Sequence, residues 1–225
     1  MPARVFLDIV DPWINWTWLS THIPYVLGAV QEHLTLTAIA LVGGLVIALP
    51  LGFAARRWTH LHLRPAALTV FGAFYTIPSI ALFALLIPYT GLGILTAEIP
   101  LVGYNVLILV RNVLVGLDSV PPEVLDAADG MGYRPLARLI RVELPLALPA
   151  IFAGLRVATV STIGIVTITA VIGLGGLGQL ILRGLIESFH TPLVVATALC
   201  IVLAFLADLA IALAQRLAVP WARNT

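Results

Sequence analysis

Apolar positions in this chain do not alternate with polar ones at a period of two, and they do not form a narrow helical stripe. They run in long blocks. A helix needs about 20 predominantly apolar residues to cross about 30 Å of hydrocarbon, and five segments meet that length: 34–53, 65–87, 94–117, 147–171 and 193–217. The first is free of charge and closes on Arg56 and Arg57; the second opens just after Arg64 and holds Pro78 in its interior. The third carries Glu98 near one end and Arg111 near the other, the fourth contains Arg156, and the fifth contains Asp208. The pattern predicts an all-α membrane protein with five transmembrane helices. Between the last two spans, 172–190 is too broken by glycine to read as a sixth.

Composition agrees with the pattern. Hydrophobic residues make up 60% of the 225 and charged residues 10%, whereas a soluble domain carries about 25% charged residues. Net charge is +1, all 12 basic residues are arginine, and no run of like charges suits nucleic acid. The lone Cys200 leaves no intrachain disulfide. Asp8, Asp11, Asn15 and several tryptophans interrupt the first 30 residues, so no cleaved signal peptide is expected.

Arginines in short loops stay on the cytoplasmic side. Five spans with the N-terminus outside put Arg56, Arg57, Arg64, Arg134, Arg138, Arg141, Arg216 and Arg223 inside, leaving only Arg4 and Arg183 outside. Residues 1–30, with Trp13, Trp16, Trp18 and Tyr25, then read as an interfacial segment on the outer face. Residues 31–217 form the transmembrane domain and 218–225 a cytoplasmic tail.

The longest cytoplasmic loop is 118–146. Ser119, Pro121 and Pro122 suit the start of a short helix, with Glu123 at its positive N-terminal end. Asp126, Ala127 and Ala128 form its interior, and Gly130 and Gly132 stop it. A second amphipathic piece, 133–142, carries Arg134, Arg138 and Arg141, and Pro145 and Pro149 mark the return into the membrane. An alanine-faced knob of this kind is a surface that a groove on another protein can approach closely.

Asp126, Ala127, Ala128, three residues, Gly132, nine residues, Val142, one residue, Leu144 and Pro145 match a fixed spacing. The run resembles the EAA loop, E-A-A-x(3)-G-x(9)-I-x-L-P, of permease subunits of binding-protein-dependent ABC importers; Asp126 and Val142 are conservative departures. The plain alternative is a polar helix-turn joining two spans. The resemblance implies a type I ABC importer permease fold in which Glu123, Asp126, Ala127, Ala128, Gly132, Leu144 and Pro145 belong to a coupling helix and its return. This helix would sit in a cleft of a cytoplasmic ATPase, which alone binds ATP and magnesium; no cofactor or metal site is expected in this chain. Further partners implied are an extracytoplasmic solute-binding protein, a second permease copy or a sister permease, and membrane lipid.

The stretches 76–93, 111–132, 142–164 and 171–185 look like permeases of osmoprotectant importers for glycine betaine, choline, carnitine or proline betaine. Permeases for other small solutes, such as methionine, share the loop. A stand-alone secondary carrier is the contrasting class, but it needs no coupling loop and no inverted repeat is visible. An enzyme has no metal or nucleophile cluster to stand on, and His60 and His62 only flank a basic loop.

Gly173, Gly175 and Gly178 satisfy G-x-G-x-x-G, but without a surrounding βαβ unit or a following acidic residue they read as a tight turn. That turn either shapes the pore mouth or a docking face, or is a plain loop. Pro78 should kink or break the second span at Ile77. Tyr75, Thr76, Pro78 and Ser79 then border either a translocation pathway or a simple packing kink. Arg156 and Asp208 lie equally far from the inner ends of their spans, at about 1.5 Å per residue roughly 13 Å deep, so they are expected to pair. Arg111, nearer the surface, can snorkel.

Overall fold

The computed structural model describes residues 13–57, 69, 72, 73 and 75–221, without the side chains of Arg56 and Arg57. Arg4, His60, His62, Arg64 and Arg223 lie outside the described residues. The elements are α1 (Trp16–Thr21), α2 (Ile23–Arg57), α3 (Ser79–Thr90), α4 (Ile94–Asp118), α5 (Pro122–Gly130) and α6 (Pro135–Arg138). A π-helical turn (Leu139–Glu143), α7 (Leu144–Val166), a 3₁₀ segment (Thr167–Ile172), α8 (Leu177–Ile186) and α9 (His190–Ala218) follow.

Among the described residues, four segments are long and apolar enough to cross a membrane: Ile23–Ala55, Ile94–Asp118, Pro135–Ile172 and His190–Ala218. The expected second span, 65–87, is described only in part. Its second half is the short apolar helix α3, which starts immediately after Pro78, so the chain is non-helical at Ile77 and Pro78. The carbonyl of Ile77 receives the Tyr104 hydroxyl at 2.6 Å, which satisfies a polar group that the interrupted helix leaves without a partner.

Two helices start ahead of the apolar runs. The first long helix starts at Ile23, not Leu34, so residues 23–30 are continuous with it. Gln31, Glu32 and His33 look like a polar interruption in the sequence, but His33 is fully buried and hydrogen-bonded. The helix that holds the fourth apolar run does not begin at 147 either; it runs unbroken from Pro135. Pro145 cannot donate to the carbonyl four residues back and its ring crowds that carbonyl. The wider π turn at Leu139–Glu143 lies directly ahead of it and carries the helix past this conflict.

The Cα trace divides into two compact units, one of residues 1–39, 79–100 and 163–205, the other of 40–78, 101–162 and 206–225. In the second, Ala40, Gly44, Ala48 and Gly52 recur every fourth residue and make a small-residue face on α2. A Cβ on Gly44 would come within 2.5 Å of Asn105 Cβ, and one on Gly52 within 2.5 Å of Val113 Cγ1. Asn105, Leu109 and Val113 of α4 therefore sit directly against the α2 backbone, and Leu109, Val110 and Leu114 pack with Ala48 and Ala55 in the core. Membrane helices gain little from hydrophobic exclusion between themselves, so this close approach is what holds the pair.

In the first unit, Val26 and Ala29 of α2 pack with Leu177 and Leu180 of α8 and Ala196 of α9. The Gly-rich turn between the 3₁₀ segment and α8 has left-handed backbone at Gly173, Gly175 and Gly176, with φ of 84°, 103° and 49°. A Cβ on Gly176 would collide with the Ala29 carbonyl and the His33 amide.

Candidate functional site

The loop that carries the D-A-A-x(3)-G run folds as a short helix and a stop. Pro121 occupies the N-cap of α5 and Pro122 its first turn, with Glu123 beside the N-terminus. Ser119 is not the cap: its hydroxyl donates backwards to the Gly116 carbonyl at 2.7 Å. At the other end the Tyr133 amide reaches the Ala128 carbonyl at 3.2 Å and the Gly132 amide reaches Asp129 at 2.9 Å. Gly132 itself has φ +79°, a left-handed stop that a side chain would strain.

The two alanines point in opposite senses. Ala128 is buried, with Val124 and Leu125 half-buried on the same side, while Glu123, Asp126, Ala127 and Gly130 are exposed. Those four recur at helical spacing and make one outward face with two carboxylates. Leu144 and Pro145, also of the run, are half-buried in the helix that follows.

Arg138 ties α5 to that helix. Its guanidinium Nη1 donates to Asp129, next to the alanines, and its Nε donates to Glu143 Oε1 at 2.9 Å. Glu143 is 2% exposed, so the arginine neutralises a carboxylate removed from water. Arg138 and Glu143 are five residues apart, a separation that shares a face only where the helix widens to π geometry. The pair escaped the sequence reading for that reason.

Further along, Arg156 Nε and Nη2 donate to Asp208 Oδ1 and Oδ2, each at 2.7 Å. This is a parallel, two-pronged pair between α7 and α9. Its side chains remain 40% and 32% exposed and, with Ala153, Val157, Val160 and Ser161, line a cavity of about 440 Å³. Asn105 Oδ1 accepts from the Thr162 hydroxyl at 2.9 Å, a polar tie between α4 and α7. Arg111 is exposed on α4.

Of the residues expected near a pathway, Tyr75, Thr76 and Pro78 are exposed and Ser79 half-buried. The Tyr75 ring meets Tyr104 edge-on, centroids 5.4 Å apart, so these residues stand at the break in the helix and not inside a regular one.

The sequence reading missed the grip on the Gly-rich turn. His33 Nδ1 lies 3.2 Å from the Gly175 carbonyl and Nε2 3.1 Å from the Ile163 carbonyl. The neighbouring Glu32 Oε1 accepts the Gly175 amide at 3.1 Å. Consecutive side chains of α2 thus hold both backbone groups of one glycine. No group of three or more His, Cys, Asp or Glu side chains among the described residues could hold a metal.

Residues 44–219 match the family model described as "Binding-protein-dependent transport system inner membrane component". The chain is 40% identical over 189 residues to "Osmoprotectant import permease protein OsmW" of Salmonella typhimurium, a match covering 82% of this chain and 87% of that protein. It is 34% identical over 207 residues to "Choline transport system permease protein OpuBB" of Bacillus subtilis, covering 90% and 93%. Among solved structures it resembles an inward-facing form of the MetNI methionine ABC transporter with a TM-score of 0.79. That match covers 88% of this chain and 98% of the other at 24% identity, and it speaks for the fold alone.

Proposed function

The chain belongs to the inner membrane components of binding-protein-dependent transport systems, and we propose that it is the permease subunit of an ATP-driven importer for osmoprotectants of the quaternary-ammonium kind. The observation that carries the substrate class is identity of 40% and 34%, over most of both chains, to permeases named for osmoprotectants and choline. The methionine alternative rests on likeness of fold alone.

In this reading the exposed face of α5, Glu123, Asp126, Ala127 and Gly130, sits in a cleft of a separate cytoplasmic ATPase, which binds ATP and magnesium. ATP-driven closure of that partner presses on α5. The Arg138 link from Asp129 to Glu143 gives the push a stiff route into the helix that continues as α7. A fifth span completes the pore in the stretch around 65–87, with α3 as its second half; the N-terminus lies outside and the C-terminus in the cytoplasm. A second copy of this chain, or a sister permease, supplies the other half of the pore, and an extracytoplasmic binding protein delivers the solute. A pore subunit of this kind catalyses no reaction itself.

The test is uptake of labelled glycine betaine, choline, carnitine and methionine at high osmolarity, in cells stripped of their own carriers and supplied with this permease, its ATPase and its receptor. Quaternary-ammonium uptake that disappears with Gly132→Asp, while the permease stays in the membrane, supports both the substrate class and the coupling helix. Uptake of methionine alone overturns the substrate class, and uptake that persists without the ATPase overturns the importer.

A further inference from the structure

At the start of α2 and the end of α8 the first unit contains a cavity of about 300 Å³ bordered by Trp18, His22, Tyr25, Arg183, Glu187 and Phe189. This is the lower end of the roughly 300–1,000 Å³ typical of small-molecule sites. Its walls are fixed by specific contacts. The Trp18 ring stacks on His22 with centroids 4.5 Å apart and meets Phe189 edge-on at 5.4 Å. The Asn15 side chain caps α1 through the Trp18 amide at 2.9 Å, and the Asn15 amide donates to Thr191 Oγ1 at 2.8 Å.

The turn that delivers Phe189 is held in an unusual conformation. Ser188 has φ +53°, the one non-glycine residue with positive φ among the described residues, and the Phe189 amide closes the turn onto the Gly184 carbonyl at 2.9 Å. Left-handed backbone at a residue with a Cβ is strained, and it persists where the surroundings over-determine it.

Two charges stand in this aromatic setting. The Arg183 guanidinium carbon lies 5.8 Å from the centre of the Tyr25 ring, within the roughly 6 Å reach of a cation–π contact. Its ion pair with Glu187 is long, 3.8 Å, and both side chains are more than half exposed. The Tyr25 face therefore accepts a cation, and the cation now on it is an exposed arginine on a loose tether.

We infer that this cavity is a binding site for a trimethylammonium zwitterion, with the ligand's ammonium taking the place of the Arg183 guanidinium over Tyr25 and the displaced guanidinium pairing with the ligand's carboxylate. Trp18 and Phe189 supply the remaining aromatic walls, and Glu187, losing its arginine, faces the ammonium. The inference deepens the osmoprotectant reading and rests on it. It adds that the permease itself, and not the delivering receptor alone, distinguishes a betaine from choline, which has no carboxylate for Arg183.

The experiment is equilibrium binding of radiolabelled glycine betaine and choline to the permease–ATPase complex, without receptor, in nanodiscs of phosphatidylglycerol. Wild type should bind both saturably. Trp18→Ala should weaken both, whereas Arg183→Gln, at an exposed position that leaves the fold intact, should weaken glycine betaine about tenfold or more and leave choline unchanged or tighter. Absence of saturable binding, equal loss of both ligands in Arg183→Gln, or no loss in Trp18→Ala overturns the site. Displacement of both solutes by nanodiscs doped with phosphatidylcholine assigns the pocket to a lipid headgroup and overturns its assignment to the solute. Receptor-driven uptake into vesicles is measured in parallel: osmoprotectant uptake without binding sinks this site alone, and no osmoprotectant uptake sinks the substrate reading beneath it.

Discussion

Arg156 on α7 and Asp208 on α9 meet through two parallel hydrogen bonds of 2.7 Å, and both belong to helices that are long and apolar enough to span the membrane. A lone charge in hydrocarbon is costly, so each residue is tolerated there because of the other.

The first prediction follows directly. Arg156→Asp and Asp208→Arg should each lower the amount of permease in the membrane fraction, because each places two like charges face to face. The exchange Arg156→Asp with Asp208→Arg should restore it. Quantitative blotting with native gels reads the outcome; a double mutant as depleted as the singles would mean the pair does not act as a pair.

How far such features were legible depends on where a residue's partner lies. The spans after residue 90 could be read from their apolar runs, and Arg156 and Asp208 could be matched by their equal distance from the span ends. The Glu32, His33 pair could not be read, because what makes it compatible with a membrane helix is Ile163 and Gly175, far away in sequence. The continuous helix from Pro135 was hidden for a local reason. Pro145 and Pro149 signal breaks, and sequence rules do not foresee a π turn that absorbs one of them. On α5, the sequence showed the alanines but not that Ala127 faces out while Ala128 faces in, which the packing of Val124 and Leu125 decides.

Arg138 gives the second prediction. Arg138→Ala takes a guanidinium away from the buried Glu143, which destabilises the permease, and it cuts α5 loose from the following helix. Uptake should fall much more than in Arg134→Ala, whose side chain is exposed. Adding Glu143→Gln to Arg138→Ala should recover the thermal stability of the purified permease but not the uptake, since the charge is gone while the link to Asp129 stays broken. Full recovery of both would reduce Arg138 to a counter-ion.

The small-residue face of α2 sets a steric limit. Gly52→Val places a branched side chain where Val113 Cγ1 already stands 2.5 Å from a bare Cβ, and overpacking of this kind costs typically about 1–3 kcal/mol. Gly28, whose Cβ would meet nothing within 4 Å, is the control. The midpoint of thermal aggregation in detergent should drop for Gly52→Val and hold for Gly28→Val; equal midpoints would show that α2 and α4 are not in close contact there.

The last prediction concerns the grip on Gly175. The His33 ring stands between the Gly175 and Ile163 carbonyls, and an uncharged imidazole has one N–H to donate to them; removing a buried hydrogen-bond partner leaves its counterpart unsatisfied at about 1–3 kcal/mol. His33→Leu keeps the bulk and loses both contacts, so it should destabilise the permease and free the turn at 173–176. Glu32→Gln retains an acceptor for the Gly175 amide at nearly the same reach, so it should be far milder. Hydrogen exchange at the Gly175 amide separates the two effects. Faster exchange in His33→Leu, with Glu32→Gln close to wild type, means the imidazole holds the turn in place; fast exchange in Glu32→Gln alone would transfer that role to the carboxylate and leave His33 as packing.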